Sequence, residues 1–151
     1  HVKNEYFEFV NDEKLMRNHE EDATRPNYFC LKMEDEEIMW FIPMSSKIEK
    51  YSKIIENKVK KYKKCDTIII GNYRGRKQAF LIQNMFPVTL DYIESQYMKN
   101  KVPIKVSKQL ETEIIYKANK VLNLYNHGMK NIVFPNIDKI LNKLLNFNYK
   151  A

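Results

Sequence analysis

A short polar corner between an apolar segment and a basic segment carries residue types suited to phosphodiester chemistry. Pro43-Met44-Ser45-Ser46-Lys47 follows an apolar run and places two hydroxyls beside one ammonium. Hydroxyls can hold a phosphate, and an ammonium can neutralise the negative charge that builds up in the transition state. RNA carries its own nucleophile, the 2′-hydroxyl, so such a site needs only positioning, charge stabilisation and proton transfer. A simpler interpretation is that Ser46 caps a helix beginning near Lys47.

Other common chemistries lack their usual sequence patterns. His1, His19 and His127 are scattered and form neither HExxH nor a Cys/His cluster. The chain has no GxxxxGK[ST] or GxGxxG phosphate loop, and no GxSxG motif supports a serine hydrolase. The acidic run over 34–37 is more typical of a solvated turn than of a metal site. We therefore expect no metal and no cofactor.

The charge is concentrated in one segment. The 151 residues contain 26 Lys and Arg against 19 Asp and Glu, a formal charge of +7. Residues 47–64 hold eight lysines against two glutamates, which leaves +6. Their apolar residues recur every three or four positions and predict an amphipathic helix with lysines on its other face: Ile48, Tyr51, Ile55, Val59 and Tyr62. A charged face is often merely solvated, but this density of one sign favours a polyanionic partner.

Length and composition indicate one domain, 1–151, with 44% hydrophobic residues and only three glycines. The longest apolar run is far shorter than the ~20 residues of a membrane span. Cys30 and Cys65 are 35 positions apart and form no CxxC pair. They favour a reducing compartment, the cytoplasm, over a disulfide or zinc framework.

The order of predicted elements is α+β with an antiparallel sheet. A helix over 2–17 and a loop over 18–27 precede a hairpin, with strands over 28–33 and 38–42 and with Pro43 ending the second strand. The basic helix follows. Strands over 67–70 and 78–82 flank a glycine-containing loop over 71–77, and a short strand covers 85–88. Thr89 is predicted to cap a helix that runs to about Lys99. Ser107 is predicted to cap a second helix, which ends at Gly128 and turns these residues inward: Leu110, Ile114, Ala118, Val121, Leu122 and Tyr125. A last helix starts near Pro135.

The polar corner and its surroundings resemble the ToxN/AbiQ family of type III toxin–antitoxin ribonucleases. Residues 40–47, WFIPMSSK, are similar to that family's aromatic-x-x-Pro-Leu-Ser/Thr-Ser-Pro-Lys stretch. RPNYF at 25–29 resembles the entry into its first hairpin, and QAFLIQNMFPV at 78–88 resembles a later strand. VKNEY at 2–6 resembles its N-terminal segment. The resemblance is strong from residue 2 to about 88, weaker beyond, and closest to the CptN branch.

The resemblance implies a compact, highly twisted antiparallel sheet like that of MazF/Kid toxins, an SH3-like barrel, with several added helices. It also implies that a few residues of a first strand precede His1. The implied activity is a metal-independent endoribonuclease that leaves 2′,3′-cyclic phosphate and 5′-hydroxyl ends. The implied partner is a small repeat RNA antitoxin, folded as a pseudoknot, that closes the toxin into an RNA–protein assembly. The toxin would process the antitoxin precursor, cleave cellular and phage RNA, and serve bacterial phage defence or plasmid maintenance.

Five residues match the functional positions of this family. The resemblance implies that Ser45 and Ser46 hold the scissile phosphate and that Lys47 stabilises its transition-state charge. Arg25 would bind phosphate, and Tyr6 would position RNA. The general base is not assigned.

The position of the catalytic cation is open, because the family has Ser-Pro-Lys where this chain has Ser46-Lys47-Ile48-Glu49-Lys50. Lys47 is preferred over Lys50 because it is nearest the serines. Further contacts to RNA are expected from the basic helix, through Lys50, Lys53, Lys58, Lys60, Lys61 and Lys64, and from Trp40, which would stack on a base. The hairpin loop could add Arg74, Arg76 and Lys77, although a purely solvated tip is an equally good interpretation of that loop.

Two other functions fit the same basic helix. One is an RNA-binding protein without catalysis, in which the helix holds the backbone and aromatic residues stack on bases. The other is binding to an anionic membrane or a partner protein. The apolar face of the helix has tyrosines and isoleucines but no Trp or Phe, which disfavours a membrane.

Overall fold

The computed structural model describes Tyr6 and residues 28–32, 38–89 and 106–150. They form five strands and three helices in the following order: β1 (Tyr28–Lys32), β2 (Ile38–Ser45), α1 (Ile48–Tyr62), β3 (Ile68–Tyr73), β4 (Arg76–Leu81), β5 (Phe86–Thr89), α2 (Lys108–Asn126) and α3 (Ile137–Lys150). The α+β class is confirmed. The predicted helix over 2–17 (Tyr6 apart), the loop over 18–27, the acidic turn and residues 90–99 lie outside this description.

β2 is the strand that unites the sheet. Along one side it pairs with β1, and along the other it pairs first with β5 and then with β4, while β3 pairs with β4. All of these pairings are antiparallel, and the sheet curls into a half-barrel. The twisted antiparallel sheet predicted from the sequence is therefore confirmed.

Pro43 does not end β2, contrary to the prediction. It pairs with Tyr28 at the last position of the β1 ladder. On the other side of β2, the last pair with β5 is at Phe41 and the first pair with β4 is at Met44. Pro43 thus occupies the gap between two partners, where a missing N–H interrupts no ladder.

The β3–β4 hairpin is covered on both faces. Ile68 points towards α1 and packs with Tyr51, whereas Ile69 points the other way and packs in the same core as Ile114 of α2. Successive side chains of a strand point to opposite faces, so an uninterrupted run of isoleucines suits a strand with a helix on either side.

Gly71 lies in β3 and not in a loop as predicted. It pairs with Gln78, and a Cβ at this position would lie 2.5 Å from Cδ2 of Leu110. The connection between the strands is only Arg74-Gly75, both with positive φ, of 52° and 78°. A two-residue turn of this kind matches the twist of the strands it joins. At Gly71 itself, any side chain would require the Leu110 side chain of α2 to move.

Replacing Gly71 with alanine is expected to lower the free energy of unfolding by about 1–3 kcal/mol, because the added methyl displaces the buried Leu110 side chain. Chemical denaturation of the single and double variants of Gly71→Ala and Leu110→Ala measures the coupling. We expect the methyl to cost much less when Leu110 is already truncated. Equal costs in both backgrounds would contradict the close approach.

α2 and α3 follow the sequence closely. The buried face of α2 is the predicted one, and Ser107 Oγ accepts a hydrogen bond of 3.1 Å from the Leu110 N–H as its cap. Gly128, with φ of 107°, follows the end of this helix. α3 begins at Ile137, two residues after Pro135. Asn136 Oδ1 accepts a hydrogen bond from the Lys139 N–H in the first turn of this helix.

Candidate functional site

The corner that joins β2 to α1 consists of Ser45, Ser46 and Lys47. Ser45 Oγ accepts a 3.2 Å hydrogen bond from the Lys47 N–H, and the Ser46 carbonyl accepts from the Ile48 N–H at 2.8 Å. The N-cap of α1 is Lys47, and no side chain caps the helix. The prediction that Ser46 caps the helix is therefore wrong. Its exposed hydroxyl forms no hydrogen bond with the described part of the chain.

This corner can hold an anion. Ser46 and Lys47 are exposed and Ser45 is half-buried. The uncapped first turn of α1 presents backbone N–H groups and the positive end of the helix dipole at the same place. Glu49 is exposed in that turn and subtracts one charge. Two hydroxyls, one ammonium and a helix N-terminus are an arrangement that suits a phosphate.

The register of the sheet brings a second cationic group to the same end. Ser45 pairs with Ala79, so the two side chains share the face that α1 covers. Lys77 is two residues closer to the hairpin turn and lies on that same face. Arg76 starts β4 three residues from Ala79, about 10 Å at ~3.3 Å per residue, and its side chain points to the opposite face. The sequence predicted the corner and the basic hairpin separately, and the pairing register places Lys77 of the hairpin on the same face as Ser45.

Arg74 holds an unusual position in this hairpin. It is a non-glycine residue with φ of 52°, and its guanidinium carbon lies 5.4 Å from the centre of the Tyr73 ring. The left-handed region is unfavourable for arginine, whereas asparagine tolerates it. Arg74 is exposed. Its charge is therefore presented at the tip of the hairpin at some cost in backbone energy.

The lysines of α1 fall into two groups. Near the corner, Lys47, Lys50 and Lys53 form no ion pair within the described residues, and Lys50 Nζ lies 5.3 Å from the Tyr51 ring centre. Lys58 is different, because its ammonium is half-buried and donates to Thr67 Oγ1 at 2.7 Å and towards Gln83 Oε1 at 3.4 Å. The structure thus assigns Lys58 to anchoring α1 on the sheet and not to the exposed cationic face.

The last two turns of α1 also differ from the prediction. Val59 and Tyr62 are 44% and 59% exposed, so the buried stripe ends near Ile55. Lys60 and Lys61 are exposed, and Lys64 Nζ lies 3.6 Å from Asp66 Oδ2. The helix leaves the sheet surface here, because the chain must turn at Lys63, in the left-handed conformation, to enter β3.

Two aromatic residues predicted to meet RNA are in the core. Trp40 is 6% exposed and points to the same face of β2 as the buried Ile42. Tyr6 is fully buried: its hydroxyl donates a 2.6 Å hydrogen bond to the Pro87 carbonyl, and its ring packs 5.7 Å from that of Phe86. Burial contradicts a stacking role for Trp40 and places Tyr6 away from solvent. Arg25 lies outside the described residues.

Two lysines that the sequence did not single out contact the segment after α1. Lys120 Nζ lies 3.2 Å from Asp66 Oδ2, and Lys117 Nζ donates a 3.0 Å hydrogen bond to the Cys65 carbonyl. These contacts join residues more than 50 positions apart, so no local pattern could have indicated them.

The fold is shared with a protein of known structure. The sequence matches no protein-family model and no relative among curated proteins. The three-dimensional structure is similar, with a TM-score of 0.64, to a chain from a bacterial type III toxin–antitoxin system in which a non-coding RNA pseudoknot selectively inhibits the toxin. The alignment covers 97% of this chain and 95% of that one at 16% identity. At this identity the similarity establishes the fold.

Two features are absent from the described residues. No helix there is long and apolar enough to cross a membrane. No group of three or more His, Cys, Asp or Glu side chains is placed there so that it could hold a metal ion.

Proposed function

We propose that this chain is the toxin of a type III toxin–antitoxin system and acts as a metal-independent endoribonuclease. The observation that carries the proposal is the corner: Ser45, Ser46 and Lys47 at the uncapped N-terminus of α1. The fold shared with a chain of a type III toxin–antitoxin system supports it. We further propose that residues 1–151 act as a single domain and that the chain belongs with the CptN-like members of the ToxN/AbiQ family.

The reaction that suits these residues is a transesterification within RNA. The 2′-oxygen bonds to phosphorus, the bond to the 5′-oxygen breaks, and the products are a 2′,3′-cyclic phosphate and a 5′-hydroxyl. The proton lost by the 2′-hydroxyl passes to a base, and the leaving oxygen gains a proton. Ser45 and Ser46 hold the phosphate, and Lys47 stabilises the charge on its non-bridging oxygens. Arg25 is proposed as a further phosphate ligand. No residue is assigned as the base.

Lys47 is the better candidate for the catalytic cation. Its exposed ammonium has no partner among the described residues and can turn towards a phosphate at the corner. Lys50 lies one helical turn away, and its ammonium rests beside the Tyr51 ring. An ammonium already placed on an aromatic face must leave it before it can assist catalysis.

The proposed partner is a small repeat RNA that folds as a pseudoknot and occupies the corner and the basic hairpin. By closing RNA and protein into one assembly, it would block the site until it is degraded. The toxin would also cut the antitoxin precursor into repeats. Its targets would be cellular and phage RNA in the bacterial cytoplasm, and its role phage defence or plasmid maintenance.

A non-catalytic RNA-binding protein is the second candidate, and the exposed lysines of α1 favour it. One experiment separates the two functions. The wild-type protein is expressed with and without tandem repeats taken from the DNA upstream of its gene, and the purified protein is incubated with RNA in EDTA. We expect toxicity only without the repeats, and cleavage with cyclic phosphate ends. Intact RNA together with harmless expression would eliminate the nuclease and leave the second function.

Replacing Arg74 with asparagine is expected to separate binding from stability. Asparagine adopts the left-handed conformation more readily, so the free energy of unfolding should rise by about 0.5–1 kcal/mol. Loss of one phosphate contact should weaken RNA binding and reduce the slope of log K against log salt concentration by about one. Salt titrations of Arg74→Asn and Arg74→Lys test this, since lysine retains the charge. An unchanged slope in Arg74→Asn would show that the hairpin tip is merely solvated.

A further inference from the structure

The far end of α1 carries a second cationic surface, which we call the far-end surface: Tyr62, Lys64, Asp66, Tyr116, Lys117 and Lys120. Asp66 joins its two sides, because Oδ2 lies 3.6 Å from Lys64 Nζ and 3.2 Å from Lys120 Nζ. The Lys117 hydrogen bond to the Cys65 carbonyl adds a third link between α2 and the segment after α1. The backbone segments of this surface are therefore held in one arrangement.

Two tyrosines stand on this surface with their rings in solvent. Tyr62 is 59% exposed and Tyr116 is 64% exposed. Tyr62 lies two residues before Lys64, and Tyr116 lies one helical turn before Lys120, on the same side of α2. Tyr116 thus lies beside Lys120, whereas Lys61 Nζ lies 5.2 Å from the centre of the Tyr62 ring. A base that stacks on Tyr62 uses the other face of the ring or displaces that ammonium. Neither ring belongs to the buried clusters formed by the described residues.

The charge of this region suits a polyanion. Five lysines lie close to the two tyrosines in the chain, and the carboxylates of Asp66 and Glu113 oppose them, which leaves three positive charges in excess. The five are Lys61, Lys63, Lys64, Lys117 and Lys120. Tyr62 is separated from Lys47 by fifteen residues of helix, about 22 Å at ~1.5 Å per residue. This surface is therefore distinct from the corner.

We propose that the far-end surface binds a single-stranded segment of RNA, with bases stacked on Tyr62 and Tyr116 and phosphates held by the surrounding lysines. Exposed aromatic rings within a cationic surface are the combination by which proteins hold single strands without reading their sequence. That the bound single strand is RNA rests on the proposed function. The surface retains an RNA while the corner acts on another part of the same molecule.

The test uses an RNA that cannot be cleaved. A fluorescein-labelled 20-nucleotide 2′-O-methyl uridine oligomer lacks the free 2′-hydroxyl, so its binding is measured by fluorescence anisotropy without any reaction. We expect the double variant Tyr62→Leu/Tyr116→Leu to bind it at least tenfold more weakly, since leucine keeps apolar volume but offers no ring for stacking. Tyr62→Phe/Tyr116→Phe keeps both rings and should bind as the wild type does. Equal affinity of the leucine and phenylalanine variants would overturn the proposal.

The corner provides an independent readout. A pentanucleotide RNA is too short to span both surfaces, so the leucine variant should cleave it at the wild-type rate. If the wild type cleaves no RNA, and the leucine variant nevertheless binds RNA more weakly, the proposed far-end surface stands and the nuclease proposal fails. If the wild type cleaves and the leucine variant binds normally, only the far-end surface fails. Both tyrosines are exposed, so thermal unfolding of the variants should match that of the wild type.

Discussion

Replacing Lys47 with alanine is expected to reduce RNA cleavage by about 10²- to 10³-fold, which is the usual effect of removing one group that stabilises transition-state charge. The loss should appear in kcat, because the charge that Lys47 meets is larger in the transition state than in the bound substrate. Stability should not change, since Lys47 is exposed and its ammonium contacts nothing in the described part of the chain. Single-turnover cleavage of a short RNA, together with thermal unfolding, measures both quantities.

Lys50→Ala is the matched control for this prediction. It removes the same charge from the same helix one turn further on, where the ammonium rests beside Tyr51. We expect a reduction of no more than about tenfold, of the size of a lost phosphate contact. A larger loss in Lys50→Ala than in Lys47→Ala would transfer the catalytic role to Lys50. Equal and small losses in both would remove the cation from the proposed mechanism.

Replacing Trp40 with alanine is expected to lower the free energy of unfolding by about 3–5 kcal/mol, the usual cost of truncating a buried tryptophan. Trp40 is 6% exposed and lies in the core that β2 shares with α2, so the variant leaves a cavity at the centre of the sheet. Such a loss is a large part of the stability of an ordinary domain. Urea denaturation of the purified protein measures it.

A binding assay under native conditions completes the test of Trp40. Trp40→Phe keeps most of the volume and should fold, and we expect it to bind RNA with wild-type affinity because the side chain faces the core. If Trp40→Ala instead retained its stability and lost RNA binding, the ring would have to be exposed in the functional state. The core position described above would then be wrong.

The sequence predicted the elements well where the signal was local. The spacing of Leu110, Ile114 and Ala118 defined α2, and Ser107 marked its start, because helix periodicity and capping act within a few residues. Gly71 and Pro43 were misplaced for the opposite reason. A glycine that allows a helix to approach, and a proline at a change of strand partner, are fixed by contacts with distant parts of the chain.

The candidate site was predicted only in part. The corner follows from adjacent residues and so could be found in the sequence. Lys77 lies on the same face of the sheet as the corner because Ser45 pairs with Ala79, and the periodicity of the sequence does not determine which residues of two strands pair. Trp40 was expected to meet RNA but is buried, and Lys58 was expected on the exposed face but is half-buried, with its ammonium hydrogen-bonded to Thr67. An aromatic residue in a strand, or a lysine on a helix, has the same residue type whether it meets solvent or the interior, and only the packing decides.

The junction between β2 and β4 has a consequence for how the protein folds. Each of the hairpins β1–β2 and β3–β4 joins strands close in sequence, whereas in the described part of the chain two residue pairs, Met44 with Phe80 and Ser45 with Ala79, connect one hairpin to the other. Local pairings close small loops and form early, so we expect the hairpins to dock late. Ser45 lies in that junction, so the corner would be completed only on docking. Pulsed hydrogen exchange should accordingly show the amide of Ala79, which faces β2, gaining protection after that of Phe80, which faces β3, if docking follows hairpin formation.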